Sequence, residues 1–186
     1  MNSPSIVERP LALVGLRCSG KSTIAHLLAG RFDWPFCDLD AEVVRFARFS
    51  GYEAATAGEL IENAGWARFR DLEANALKKL IEPMPRIVLA TGGGVVERAD
   101  NRSWLQRATR AFWLDVPIEL LQLRLAADGT HRPALTGGIG GGDALAELPR
   151  IGRQREAYYR AVGQRIECFD RAPDAIAEEI AALCVG

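Results

Sequence analysis

Apolar residues in this chain gather into short continuous runs separated by longer amphipathic stretches. The runs Leu11-Val14, Pro35-Cys37, Ile87-Ala90, Ala111-Leu114 and Ile166-Phe169 have the length and continuity of strands covered on both faces. Between them the apolar spacing turns helical. Thr23 to Arg31 and Ala41 to Arg48 read as helices. From Trp66 to Ile81, residues Phe69, Leu72, Ala76, Leu77 and Leu80 share one face, and the pattern stops before Pro83 and Pro85. Pro117 to Leu125 carries proline in its first turn, and Asp174 to Leu183 follows Pro173. Strands alternating with helices predict an α/β fold, a three-layer α/β/α sandwich around a central parallel sheet of about five strands joined by right-handed crossovers. Ligands of such sheets bind beyond the carboxyl ends of the strands. One stretch breaks the alternation. Asp128-Gly129-Thr130-His131-Arg132-Pro133 and then Gly137-Gly138-Ile139-Gly140-Gly141-Gly142 hold more glycine than a regular element tolerates, so a mobile lid is expected over about 127–145. No repeat or interdomain linker interrupts the chain, and residues 1–186 are expected to form a single domain.

The first strand leads directly into Gly15-Leu16-Arg17-Cys18-Ser19-Gly20-Lys21-Ser22, with a helical pattern after it. A turn of this kind lets successive backbone N–H groups point inward as an anion nest. Gly15 and Gly20 take φ values denied to other residues and bring no Cβ near the ligand. Cys18, Ser19 and Thr23 complete the cradle. The helix beginning near Lys21 adds its positive end, Lys21 brings an ammonium to the outer phosphates, and the Ser22 hydroxyl can ligate Mg²⁺. This is the pattern of a nucleotide phosphate loop at residues 15–22.

Composition narrows the chemistry around that loop. With 48% hydrophobic and 25% charged residues the chain fits an ordinary soluble domain, and a net charge of -1 argues against a nucleic-acid backbone as partner. Cys18, Cys37, Cys168 and Cys184 are scattered without zinc or redox spacing and read as reduced thiols. Only His26 and His131 could supply imidazole, so the metal expected here is Mg²⁺ carried on phosphate. The opening residues lack a targeting pattern and no uncharged apolar stretch reaches membrane length, which makes the cytoplasm the expected compartment.

Further along the chain, Asp38-Leu39-Asp40 places two acids at the end of the second strand, where both side chains would meet the ligand edge. The same residues could equally be a helix N-cap with first-turn acids. There follow Phe69-Arg70-Asp71-Leu72-Glu73, then Ala90-Thr91-Gly92-Gly93-Gly94, Arg132-Pro133 and Arg155-Glu156-Ala157-Tyr158-Tyr159. Taken singly, Arg70 would be a solvated helix residue or an i,i+3 partner of Glu73, and Arg155 a surface charge. Three glycines directly after a buried strand suggest close approach by a ligand.

In this order the set resembles the shikimate kinases, P-loop small-molecule kinases of the nucleoside monophosphate kinase-like fold, and the likeness runs from Leu11 to the C-terminal helix. The resemblance implies transfer of the γ-phosphoryl group of ATP to the 3-hydroxyl of shikimate, a step of aromatic amino-acid biosynthesis. Lys21, Asp40 and Arg132 are then the expected catalytic residues, with Asp40 accepting the attacking proton. Arg70 and Arg155 match the arginines for the substrate carboxylate, Asp40 and Gly92, Gly93 and Gly94 the rest of its site, Ser22 and Asp38 the Mg²⁺ side. Arg124 and the Arg171-Pro173 segment lie near positions that contact adenine. The expected partners are ATP and shikimate, with no nucleic acid or membrane, and the chain is expected to be a monomer.

This sequence departs from the family pattern at several points. Cys18 stands where the family usually has glycine, Trp66 replaces an acid just ahead of the Phe-Arg pair, Ala157-Tyr158 replaces Pro-Leu, and the substrate-binding helical segment of about 41–75 is longer than is common between Ala41 and Phe69. Two further readings stay open, the first suggested by the altered wall around Trp66. One is a kinase for another small hydroxy-acid or polyol, and the other a catalytically silent, kinase-like regulator.

Overall fold

A computed structural model describes residues 9–127 and 144–185. Strands β1 (Leu11–Val14), β2 (Phe36–Asp38), β3 (Val88–Ala90), β4 (Arg110–Asp115) and β5 (Gln164–Glu167) form one sheet in the order β2-β3-β1-β4-β5, every neighbouring pair parallel. The helices are α1 (Lys21–Phe32), α2 (Leu39–Phe49), α3 (Ala57–Ile81), α4 (Ala99–Ala108), α5 (Ile118–Ala127), α6 (Ala144–Val162) and α7 (Pro173–Cys184). Right-handed crossovers send α1 over one face of the sheet and the returning helices over the other. Accordingly α1 packs beside α7, while α4 packs against α3 and α6. The expected α/β/α sandwich of five parallel strands is what the chain forms.

Burial explains why its strands were legible. Leu11, Ala12, Leu13 and Val14 of the central strand are all at most 1% exposed, so each position must be apolar. The edge strand β5 is different: only Ile166 is buried, and the strand runs Gln164–Glu167 rather than Ile166–Phe169. An edge strand needs no continuous apolar run. Arg165 instead pairs across the strand with Asp115 at 2.6 Å, and Phe169 lies beyond the strand, 68% exposed. Similarly, α3 begins well before the expected Trp66. Thr56 caps its start by accepting from the Glu59 N–H at 3.1 Å, and Gly65, with φ 79° and ψ 160°, breaks the helix just ahead of Trp66. The expected helix is the second of these two segments.

All three turns that matter for the site leave neighbouring strand ends. β1 feeds the phosphate loop, β2 ends at Asp38 and β3 leads into Gly92-Gly93-Gly94. Thr91 ties the last to the first, its hydroxyl donating to the Leu13 carbonyl at 2.9 Å. Residues 128–143, with Arg132 and most of the expected lid, lie outside the described residues.

Candidate active site

The phosphate loop has the backbone its glycines suggested. Gly20 caps α1 at φ 90°, in the left-handed region that L side chains avoid. Gly15 is needed for a reason the sequence did not show: a Cβ there would sit 2.8 Å from the Leu114 carbonyl oxygen of β4, so the close approach is to the sheet and not to a ligand. Gly15 does not line the cleft described below. Cys18 also adopts a left-handed backbone, φ 62°, which accounts physically for a position where glycine would be at ease. Lys21 is buried, and its ammonium donates to the carbonyls of Gly15 at 3.0 Å and Leu16 at 2.7 Å and to Ser19 Oγ at 3.3 Å. Desolvation lowers its pKa to about 8, against the opposing pull of Asp40, Cys18 and Asp38. Arg124 Nη1 donates to the Cys18 carbonyl at 3.2 Å and braces the loop from α5.

Asp38 does both of the things its position allowed. Oδ1 caps α2 by accepting from the N–H groups of Asp40 at 3.0 Å and Ala41 at 3.3 Å, and Oδ2 accepts from the Ser22 hydroxyl at 3.1 Å. The two acids therefore do not share a strand end. Asp38 closes β2, and Asp40 sits one step into the helix. Ser22 and Asp38 together present a hydroxyl and a carboxylate, the hard oxygen donors that suit Mg²⁺.

Opposite the loop, a charged cluster is built on α3, α6 and the glycine turn. Arg70 Nη1 donates to both oxygens of the fully buried Glu73, at 3.0 and 2.9 Å, and Nη2 lies 3.2 Å from Glu97 Oε2. Arg155, only 4% exposed, directs Nε and Nη2 onto Glu97 Oε1 at 3.0 and 2.5 Å. Arg70 is thus the i,i+3 partner of Glu73 that its spacing allowed, and Arg155 is not the surface charge its sequence context suggested. The Trp66 ring stacks on Arg70, its centroid 4.9 Å from the guanidinium carbon. Arg70 Nε is buried without a hydrogen-bond partner among the described residues, an unfilled donor in a group that lines the cleft. Asp40 is partly buried. Desolvation, with Asp38 adding to it, raises its pKa above the ordinary carboxylate value against the opposing pull of Lys21, Arg70 and Arg17. Glu73 is pushed up to about 7, chiefly by burial.

The three glycines make room for these side chains. A Cβ on Gly92 would fall 2.5 Å from Asp40 Oδ1 and 3.1 Å from Glu73 Oε1, and one on Gly94 would fall 1.9 Å from Arg70 Nη2. Protein groups, and not only a ligand, use the space. Tyr159 OH donates to the Gly93 carbonyl and pins the turn to α6. With Arg70 binding the acceptor carboxylate, as the resemblance implies, Gly94→Ala is expected to expel its guanidinium and raise KM for the acceptor by about ten-fold or more, with KM for the nucleotide nearly unchanged. Steady-state kinetics with each substrate varied in turn checks this, and parallel rises in both KM values would contradict it.

One cleft of about 1160 Å³ collects Cys18, Ser19, Gly20, Lys21, Ser22, Thr23, Asp38, Asp40, Arg70, Gly92, Gly93, Gly94, Arg124 and Arg155. Trp66, Glu73, Arg171 and Pro173 line it as well. Glu97 escaped sequence reading, whereas Tyr159 stood in the motif that begins at Arg155 without a role assigned to it. The signal available was indirect: two arginines on helices that pack against the sheet need counter-charges, and Glu97 lies three residues after Gly94. Among the described residues no cluster of three or more His, Cys, Asp or Glu gathers as a metal site, and no helix is long and apolar enough to cross a membrane.

The family model described as "Shikimate kinase" matches residues 17–184. A shikimate kinase of Nitratidesulfovibrio vulgaris is 40% identical over 174 residues, covering 92% of this chain and 93% of the relative. A "Shikimate kinase 2" of Syntrophotalea carbinolica is 32% identical over 172 residues, 91% and 93% of the two chains. Among solved structures, the shikimate kinase of Acinetobacter baumannii in complex with shikimate superposes with a TM-score of 0.83 at 28% identity, over 96% of this chain and 93% of the other.

Proposed function

The chain belongs to the shikimate kinase family, and from that membership we infer that it transfers the γ-phosphoryl group of ATP to the 3-hydroxyl of shikimate. The observation that carries the reading to particular residues is the shared cleft, in which the phosphate loop and the paired arginines face Asp40. Phosphoryl transfer asks mainly for alignment and for positive charge around the migrating group. Lys21 supplies that charge at the base of the loop, and its bonds to Gly15, Leu16 and Ser19 hold the ammonium there until phosphate oxygens replace them. Arg132, outside the described residues, is assigned the second cation on the strength of its Arg-Pro motif.

Shikimate is a small carboxylated triol, so its site needs guanidinium groups for the carboxylate and acceptors for the hydroxyls. Arg70 and Arg155, which both line the cleft, take the first role. Asp40 takes the second and receives the proton from the attacking hydroxyl. The backbone N–H groups of Gly93 and Gly94, which line the same cleft, are assigned to the substrate. Ser22 and Asp38 would hold Mg²⁺, which when bound neutralises charge on the ATP phosphates. Arg124, Arg171 and Pro173 form the adenine end of the cleft. The chain acts as a monomer in the cytoplasm.

The test is ADP release with shikimate, quinate and gluconate offered in turn. Turnover is expected with shikimate and not with gluconate, which lacks the ring that the Trp66 and Phe69 wall accommodates. Background rates with shikimate would sink the assignment, and turnover of another acid would name the substrate instead.

A further inference from the structure

Glu97 joins the two arginines of the acceptor site. Arg155 places Nε and Nη2 on its Oε1, and Arg70 places Nη2 near its Oε2, so each carboxylate oxygen holds one guanidinium. Both arginines line the cleft and Glu97 does not, so the bridge acts from outside the space a substrate would fill. Its backbone is held at both polar groups. The N–H donates to the Gly94 carbonyl at 3.0 Å, and the carbonyl accepts from Arg102 Nη1 at 2.9 Å. One 3₁₀ turn, Val95–Glu97, therefore follows the glycine that gives way to Arg70 and carries the carboxylate that grips it.

We propose that Glu97 is a positioning residue for substrate binding: by bridging Arg70 and Arg155 it sets the spacing and orientation at which two guanidinium groups meet a single carboxylate. This rests on the assignment of those arginines to the acceptor. The physical need is plain. Two cations brought to the two oxygens of one carboxylate repel each other, and each moves apart or toward water once the bridge is removed. Glu73 holds only Arg70, from its other end, and cannot replace the link. Outer residues that orient binding groups commonly change affinity by an order of magnitude or more.

The experiment is steady-state kinetics of the full chain as wild type, Glu97→Gln and Glu97→Asp, with binding of the uncharged methyl ester of shikimate measured alongside. The Glu97 side chain is 40% exposed, so glutamine buries no new unpaired group. Glu97→Gln is expected to raise KM for shikimate about ten-fold while kcat and KM for ATP stay within about two-fold, and to leave methyl ester binding unchanged. Aspartate keeps the charge but is one methylene short of spanning both arginines, and is expected to fall between the two. An unshifted or lowered KM for shikimate in both variants overturns the proposal, as does a parallel rise in KM for ATP. A wild-type chain that does not turn shikimate over would overturn the acceptor assignment itself and this proposal with it.

Discussion

Replacing Asp40 by asparagine is expected to lower kcat by about 10²- to 10⁴-fold, the usual contribution of a positioned general base, with little change in KM for ATP. Asparagine keeps the shape of the side chain and its place one step into α2 but cannot accept the hydroxyl proton. The pH dependence sharpens the test. Burial and the neighbouring Asp38 raise the Asp40 pKa above its ordinary value, so the acid limb of the wild-type rate profile is expected above the normal carboxylate range and absent from Asp40→Asn. Stability moves the opposite way. A carboxyl whose folded pKa is raised contributes stability below its unfolded pKa and loses it as pH rises through the folded one. The variant, which never ionises, is therefore expected to melt at an equal or higher temperature at pH 8, with the difference vanishing in acid. An Asp40→Asn protein with near wild-type turnover would remove this carboxylate from the mechanism.

Lys21→Ala is expected to cost about 10²- to 10³-fold in kcat, the range for removing a donor aimed at developing charge in a dry site, and to change shikimate binding far less. Lys21 is buried against three loop oxygens, and no other lysine stands near the loop in sequence. Its pKa, lowered to about 8, adds a second observable. The free enzyme loses the ammonium as pH rises through that value, so kcat/KM for ATP, which reports free-enzyme ionisations, is expected to fall above pH 8. The sign for stability is again opposite: between about 8 and the unfolded value of 10.5 the unfolded chain holds the proton that the folded chain has released, so this group's contribution rises with pH. A flat kcat/KM profile through pH 9 would show that the lysine is not titrating as placed.

Several site residues could be read directly because their chemistry is local. The glycines, lysine and serine of residues 15–22 work through their own backbone and their neighbours, so spacing alone identifies the loop. Asp38 was ambiguous between cap and ligand-facing acid, and it serves as the α2 cap while also facing Ser22. The glycine turn was recognised for the right spacing and an incomplete reason. Ligand approach was the visible explanation, whereas the side chains of Asp40 and Arg70, which lie well upstream in the chain, occupy the space. Glu97 could not be found this way, since its partners Arg70 and Arg155 lie on separate helices that meet only once the sheet has assembled.

The sequence by itself determined the parallel α/β architecture, through apolar strands that must be buried on both faces, and the phosphate loop, whose conformation depends on residues within a few positions of one another. Tertiary structure alone decided which charges are paired and which are aimed into the cleft. Counter-charges for buried arginines are set by distance in space, and chain spacing does not encode that distance across four crossovers. For the same reason the edge strand β5 was misplaced by two residues: only Ile166 is buried there, and its polar neighbours face solvent beside the adjoining strand, where Arg165 meets Asp115.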